Sequence, residues 1–224
     1  RFNGSNDNLS KTFGSGNRKT FTISAWVKRC KVGDVHTIFS RYTANNDAGF
    51  LGLYINPIYL NFTGWSTEYF VTNRVFRDTS AWYHIVLAVD TTQSTSTDRW
   101  KLYVNGVQET SFSTTTYPAL NADLAINENV AHYVGQYNTA NYFNGYMSEV
   151  CFIDGLALAA DSFGEFGEDS GIWKPIDVSG LTFGNNGFYL DYEDSGNLGN
   201  DANGGTDLTE NNLTAIDQST DTCS

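Results

Sequence analysis

The apolar positions along this chain recur at every second residue. Trp82 to Asp90 (WYHIVLAVD) sets Tyr83, Ile85, Leu87 and Val89 on one face and Trp82, His84, Val86, Ala88 and Asp90 on the other. Side chains alternate across a strand, so this stretch predicts a strand with one core face and one half-wet face. At ~3.4 Å per residue it spans roughly 30 Å, enough to cross a whole sheet. Trp100 to Val104 predicts the next strand. Asn105-Gly106, set between Tyr103-Val104 and Val107-Gln108, supplies the two positive-φ residues of a type I′ turn. Thr20 to Arg29 alternates in the same way, with Phe21, Ile23, Ala25 and Val27 opposed to Thr22, Ser24, Trp26 and Lys28.

Shorter strands follow from the same pattern. Phe2 to Phe13 opens with one, and His36 to Tyr42 forms another. Phe50 to Ile55 and Ile58 to Thr63 flank Asn56-Pro57, a hairpin signal, because Pro fits no central strand. Gly64 to Asp78, with Trp65, Tyr69 and Phe70, predicts a strand with an exposed aromatic edge. Leu124 to Asn127 is expected to pair with Ala131 to Gln136. Gly145 to Asp154 reads as a buried strand and Gly187 to Tyr192 as the last. Leu156 to Phe166 is the one plausible helix, and a short one. No helices lie between strands, which excludes a parallel α/β sheet. The chain is therefore expected to be all-β, a two-sheet antiparallel sandwich of jelly-roll type. The sandwich is assigned to residues 1–192. Residues 193–224 are rich in Asn, Asp and Gly and form a C-terminal tail, irregular or docked.

Composition narrows the functional classes. A chain of 224 residues can bury ~70% of its unfolded surface and needs no disulfide staples. No run of 18 apolar residues exists, so no membrane insertion is expected. Arg1 in place of an initiator Met, without a leader pattern behind it, reads as a processed or excised piece. Residues 1–101 hold twelve Lys and Arg against seven Asp and Glu, a balance of +5. Residues 102–224 hold Lys174 alone against 18 acids, a balance of −17. The basic and acidic halves sit against each other in one sandwich, or one charged face meets a partner; a net charge of −12 repels phosphate, so nucleic acid is not expected as that partner. Cys30, Cys151 and Cys223 make no C-x-x-C pair. Cys30 and Cys151 are expected as buried free thiols and Cys223 as part of a frayed end.

FTISAWV, HTIFSRY, WYHIVLAVD, WKLYVNGVQ and FNGYMSEVCFIDGLAL occur in this order over residues 1–166. As a set they resemble the laminin-G-like and pentraxin-like jelly roll of concanavalin A type. Residues 150–222 also resemble a module of structural proteins from bacteriophages, marine ones especially, in tail fibres and virion surfaces. The resemblance implies a lectin-like module that binds carbohydrate, a glycan or host cell surface, at an extracellular or virion surface. Other virion proteins and further copies of the same chain would be its protein partners. It also implies departures. The pentraxin disulfide is absent, because both of the strands it joins lack Cys. Of the calcium-binding regions, Asn46 and Asp47 match the first, whereas Gln136 and Asn138 fall in the second without its carboxylates. Calcium takes six to eight oxygens, charged ones included. No cofactor is required, and Asp47 leaves room for one weak Ca2+ site.

Catalysis finds little support. Glucan hydrolases of this fold carry E-x-D-x-x-E on one strand, with two carboxylates ~5–5.5 Å apart. The nearest stretch, Glu149 to Asp154 (EVCFID), has Cys151 at the central position, and Glu149 and Asp154 fall on opposite faces. Asp191 and Glu193 share a face as a solvated edge or a metal-ligand pair. His36, His84 and His132 stand alone, without H-x-H, H-E-x-x-H or G-x-S-x-G. The chain is thus expected not to be an enzyme. Sugars stack their C–H faces on aromatic rings and need amide and carboxylate partners for their hydroxyls. The loops Thr43 to Asp47 and Gln136 to Tyr142 supply both. Tyr137 and Tyr142 are the rings; Asn45, Asn46, Asp47, Gln136, Asn138 and Asn141 are the polar arms. The competing expectation is a purely structural capsid, tail or fibre protein.

Overall fold

The structure is a computed structural model and describes residues 1–46, 50–220 and 223. In chain order the strands are β1 (Phe2–Asn3), β2 (Asn8–Thr12), β3 (Thr20–Arg29), β4 (His36–Tyr42), β5 (Phe50–Asn56) and β6 (Tyr59–Gly64). They continue as β7 (Glu68–Val75), β8 (Tyr83–Asp90), β9 (Trp100–Val104), β10 (Val107–Gln108), β11 (Phe112–Thr115) and β12 (Ala131–Val134). The last are β13 (Asn144–Asp154), β14 (Gly164–Phe166), β15 (Trp173–Pro175), β16 (Phe188–Leu190) and β17 (Thr209–Asn211). One sheet runs β1-β13-β3-β8-β9-β10, with β16 also paired to β13, and the facing sheet runs β11-β7-β6-β5-β4-β12-β2-β17. The strands pair antiparallel throughout, so the chain is a two-sheet sandwich of the concanavalin A-like type.

Period-2 alternation fixes which residues meet between the sheets. Ile85, Leu87 and Val89 of β8 and Phe21, Ile23, Ala25 and Val27 of β3 point inward, opposite Leu53, Ile55, Leu60, Phe62 and Phe70. Each fully covered side chain of this size contributes roughly 1.5–3 kcal/mol. Aromatic rings fill the centre, with Phe39 stacked on Phe152 at 5.4 Å and Phe13 at 5.1 Å from the same ring. Asn105 (φ 48°) with Gly106 (φ 79°) closes β9 onto β10 as read, and the other hairpin forms with its turn shifted by one residue, β5 and β6 pairing around Pro57-Ile58. Asn105 does more than turn, because its Oδ1 accepts the His84 N–H at 2.7 Å.

The outer face of β8 is not half-wet. Val86 and His84 are buried there by residues from the segment after β13, in a second core with Cys151, Ile153, Ala160, Phe163, Val178 and Phe183. Alternation showed two faces but not that a distant segment folds back over the second. The expected helix over 156–166 is replaced by one 3-10 turn, Ala160–Ser162, followed by β14, which pairs with β15. Residues 124–127 form no strand; β12 instead pairs with β2 and β4, and Leu124 and Ile126 pack into the core. Cys30 is exposed, while Cys151 is buried as expected and Cys223 is half-buried. Residues 193–220 lie along the sandwich. Leu198, Leu208 and Leu213 enter the core, β17 extends the second sheet, and buried Asp201 accepts the Tyr189 N–H at 3.0 Å.

Two features shape β13. Asp154 Oδ1 accepts from Asn17 N (2.8 Å) and Asn127 Nδ2 (2.5 Å), and its Oδ2 accepts from Asn186 N (3.2 Å). Asn186 Nδ2 in turn donates to Asn127 Oδ1 at 2.7 Å. This network joins four segments distant in sequence. The second feature is a bulge in β13. Ser148 faces Trp26 and Cys151 faces Ser24, so Glu149 and Val150 together oppose Ala25. Val150 enters the core, and Glu149 is the extra residue, at φ 50°.

Candidate functional site

The eight-stranded sheet carries a groove on its outer face. β4, β5 and β6 point their core residues inward, so Thr37, Tyr54 and Thr63 point outward and form its floor. Trp65, in the turn after β6, and Glu68, at the start of β7, form one wall. Tyr137 and Asn141 form the other, and the groove holds about 290 Å³. Trp65 is 51% exposed, an unusual state for a large apolar ring. Tyr54 OH and Thr63 Oγ1 are hydrogen-bonded at 2.8 Å. Thr37 is 1% exposed, and its Oγ1 has no hydrogen-bond partner among the described residues. Burial pushes the Tyr54 and Tyr137 hydroxyls upward, so both remain neutral donors.

The wall from 136–142 is shaped by its turn. Tyr137 and Ala140 exchange backbone hydrogen bonds at 3.0 and 2.9 Å around Asn138 (φ 49°) and Thr139 (φ 53°). Two positive-φ residues in a two-residue connection give a type I′ hairpin. The Thr37 N–H donates to Asn141 O at 3.1 Å, which ties this loop to β4. The Tyr137 ring packs against Phe50 at 4.2 Å and edge-on to Tyr42 at 5.1 Å. Tyr42 OH donates to Asn45 Oδ1 at 2.9 Å. Rings thus bring loop 43–46 and loop 136–142 side by side.

The expected site residues fall in different places. Tyr137 and Asn141 line the groove, and Asn138 sits at the tip of the turn. Asn45 and Asn46 are exposed beside Tyr42. Gln136 is buried, and its backbone carbonyl accepts the Ser40 hydroxyl at 2.7 Å, so it is not an open polar arm. Tyr142 turns into a neighbouring cavity of about 260 Å³ with Asp34, His36 and Asn144. Asp47, the carboxylate assigned to calcium, lies outside the described residues. Among the described residues no three His, Cys, Asp or Glu side chains gather as a metal-binding set. Thr37, Tyr54, Trp65 and Glu68 were not among the expected site residues. Strand alternation already places Thr37, Tyr54 and Thr63 outward. Only the sheet order reveals that three separate strands set them side by side.

Glu149 sits elsewhere, in a cleft of about 490 Å³ with Tyr146, Asp191, Tyr192 and Glu193. Its Oε2 accepts the Tyr189 hydroxyl. Burial, with the neighbouring Asp191 and Glu193 charges, raises its pKa above the usual carboxylate range. Asp154 is held in the asparagine network and takes no part in that cleft, so the two acids of EVCFID do not form a catalytic pair. Asp191 Oδ1 accepts the Glu193 N–H at 3.0 Å, a local turn.

Comparison with known proteins agrees with this architecture. A Bacteroides ovatus protein described as a candidate carbohydrate-binding protein superposes with a TM-score of 0.60 at 21% identity. The match covers 93% of this chain and 57% of that protein, so the chain spans little more than half its length. A heptameric SAP-like pentraxin from Limulus polyphemus gives a TM-score of 0.46 at 17% identity, over 70% of this chain and 76% of its own. Domain 4 of an extracellular arabinanase from Geobacillus stearothermophilus gives 0.43 at 21% identity, over 65% of this chain and 64% of its own. Such identities speak to the fold. No curated protein matches the chain. The laminin-G-type profile described as concanavalin A-like lectin/glucanases superfamily matches residues 3–161, more than two thirds of the sequence, and the chain belongs to that superfamily.

Proposed function

We propose that this chain is a non-catalytic module that binds carbohydrate in the groove of its eight-stranded sheet. The observation that carries the reading is the pairing of exposed Trp65 with the buried, unpartnered Thr37 hydroxyl across one groove. A sugar ring stacks on the indole, and its hydroxyls meet the Thr37, Asn141 and Glu68 side chains. A buried hydroxyl without a partner costs about 1–3 kcal/mol, and a ligand that satisfies it recovers that cost. Single sugar contacts are weak, so the module acts multivalently, as a homo-oligomer or in an array at an extracellular or virion surface. A Ca2+ ion at Asp47 is an accessory to this reading and not a requirement.

The fold offers less to a purely strand-pairing role. The terminal strands β10 and β17 have two and three residues, and β11 is irregular in register. Short, bulged edges are poor templates for another chain. The test is a glycan array probed with the multimerised protein, with calcium and with chelator. Trp65→Ala is expected to reduce binding about tenfold or more without lowering Tm, as for loss of a central aromatic contact, and Thr37→Val to reduce binding while raising Tm, because it removes a buried hydroxyl without a partner among the described residues. Absence of binding to every glycan by folded protein would reject the reading in favour of a structural virion part.

A further inference from the structure

The opposite side of the sandwich holds a second cleft, on the outer face of the seven-stranded sheet. Trp26 of β3, Trp82 just before β8, Phe166 of β14 and Trp173 of β15 wall it, with Asn105, Ile172 and Cys223 at its margin; it holds about 420 Å³. Phe166 and Trp173 lie beyond residues 3–161, so the part of the chain outside the family match builds half of this cleft.

The walls are rigid. Trp26, His84 and Trp173 form a stack, with centroids 4.7 Å and 6.0 Å apart and planes within 15° and 22°. Trp173 Nε1 donates to His84 Nδ1 at 2.9 Å. The Trp173 ring also rests on two glycines. A Cβ added at Gly106 or Gly164 would come within 2.4 Å or 2.6 Å of it. The rim is apolar and open: Phe166 is 52% and Ile172 68% exposed, and Phe166 meets Trp173 edge-on at 4.9 Å.

Two donors in this cleft have no acceptor among the described residues. Trp26 is 3% exposed, and the indole N–H groups of Trp26 and Trp82 are buried without an acceptor among the described residues. An indole can only donate, so whatever completes them must bring acceptor oxygens. Among the described residues no charged side chain lines the cleft. An ionised ligand would be desolvated there with no counter-charge, so the ligand is neutral. Aromatic walls, buried donors and no charge fit a ligand with an apolar face and oxygens at its edge.

We propose that this cleft is a second binding site, for a neutral pyranose unit that accepts hydrogen bonds from the Trp26 and Trp82 indoles. It is independent of the groove around Trp65 and would give one module two glycan contacts on opposite faces. Two such contacts would let the module bridge two chains and raise avidity.

The test uses the full chain carrying Trp65→Ala, so that the first groove is disabled. Its four remaining indole N–H cross-peaks are followed by ¹⁵N–¹H NMR, assigned through Trp26→Phe and Trp82→Phe. The probes are the methyl glycosides of glucose, galactose, mannose and N-acetylglucosamine, with methyl glucuronide and glucosamine as charged controls. At least one neutral glycoside is expected to move the Trp26 and Trp82 peaks saturably. The Trp100 peak should stay still, because its N–H already donates to Thr116 O at 3.0 Å. Phe166→Ser with Ile172→Ser should raise Kd about tenfold, as for loss of an aromatic anchor. Ile172→Ser alone, at an exposed position, serves if the pair fails to fold. The proposal falls if no neutral glycoside moves either peak, if the rim variants bind unchanged, or if the charged sugars bind equally well.

Discussion

Mild acid should destabilise this protein through its three buried histidines. Burial is the main cause in each, and it holds His36 at about 4, His84 at about 3 and His132 at about 3, against 6.5 for a free imidazole. Geometry points the same way. His84 Nδ1 accepts from the Trp173 indole, so Nε2 carries the proton and donates to Ser24 Oγ at 2.9 Å. His132 Nε2 accepts the Asn127 N–H at 3.0 Å, so its proton sits on Nδ1, facing Val130 O. His36 Nδ1 accepts from Arg29 Nε at 3.1 Å. A second proton on any of these rings would set N–H against N–H inside the core. The folded protein therefore stays neutral where the unfolded chain takes up protons. Stability is complete well above pH 6.5 and is lost as pH falls below it, until the folded values near 4 and 3 are reached. At pH 5.5 each histidine costs about 1.4 kcal/mol, and the three together about 4 kcal/mol. Asp7 and Glu149, whose pKa values are raised, act in the opposite sense, so the comparison of variants is the cleaner measure. Urea unfolding followed by Trp fluorescence at pH 7.5 and pH 5.5 gives the loss directly, with the slope m as a check on compactness. His84→Gln should reduce the loss by about 1.4 kcal/mol. A wild-type midpoint that does not move, or a His84→Gln variant that shows the full loss, would refute the reasoning.

Three further outcomes follow from the fold. Asp154→Ala leaves Asn17 N–H, Asn127 Nδ2 and Asn186 N–H without their shared acceptor, and chemical denaturation should show a loss of about 3 kcal/mol or more. Gly106→Val forces a β-branched residue to φ 79° and drives its Cβ into the Trp173 ring; a loss of at least about 2 kcal/mol is expected in the same assay, whereas Gly33→Ala, at φ 99° in open space, should cost less. A thiol reagent applied to the native protein should label exposed Cys30 first and leave buried Cys151 untouched. Cys223, pushed up to about 11 by burial, should react slowly, and mass spectrometry of the labelled peptides reads the order.

The groove was only partly legible in the sequence. Tyr137 and Asn141 stood out because a polar, aromatic run between strands has no core to fill. Thr37, Tyr54 and Trp65 did not, because each is an ordinary outward residue on its own strand, and only the lateral order of β4, β5 and β6 makes them neighbours. The second cleft was less legible still. Trp26 and Trp82 looked like the wet half of an alternating strand until β14 and β15 closed over them.

By itself the sequence determined what is local. Alternation in β3 and β8 settled strand and inner face, because a one-residue slip would turn every core side chain outward. Asn105-Gly106 settled one turn, because few residues adopt its positive-φ angles, and Pro57 placed a second, because it fits no central strand. The tertiary structure decided what depends on contacts between distant segments. It buried the second face of β8, turned an expected helix into a 3-10 turn and a short hairpin, exposed Cys30, and pushed Glu149 out of register in a bulge. For the covered face of β8 and the bulge in β13 the deciding contacts come from segments far along the chain, and no short window of sequence holds both sides of such a contact.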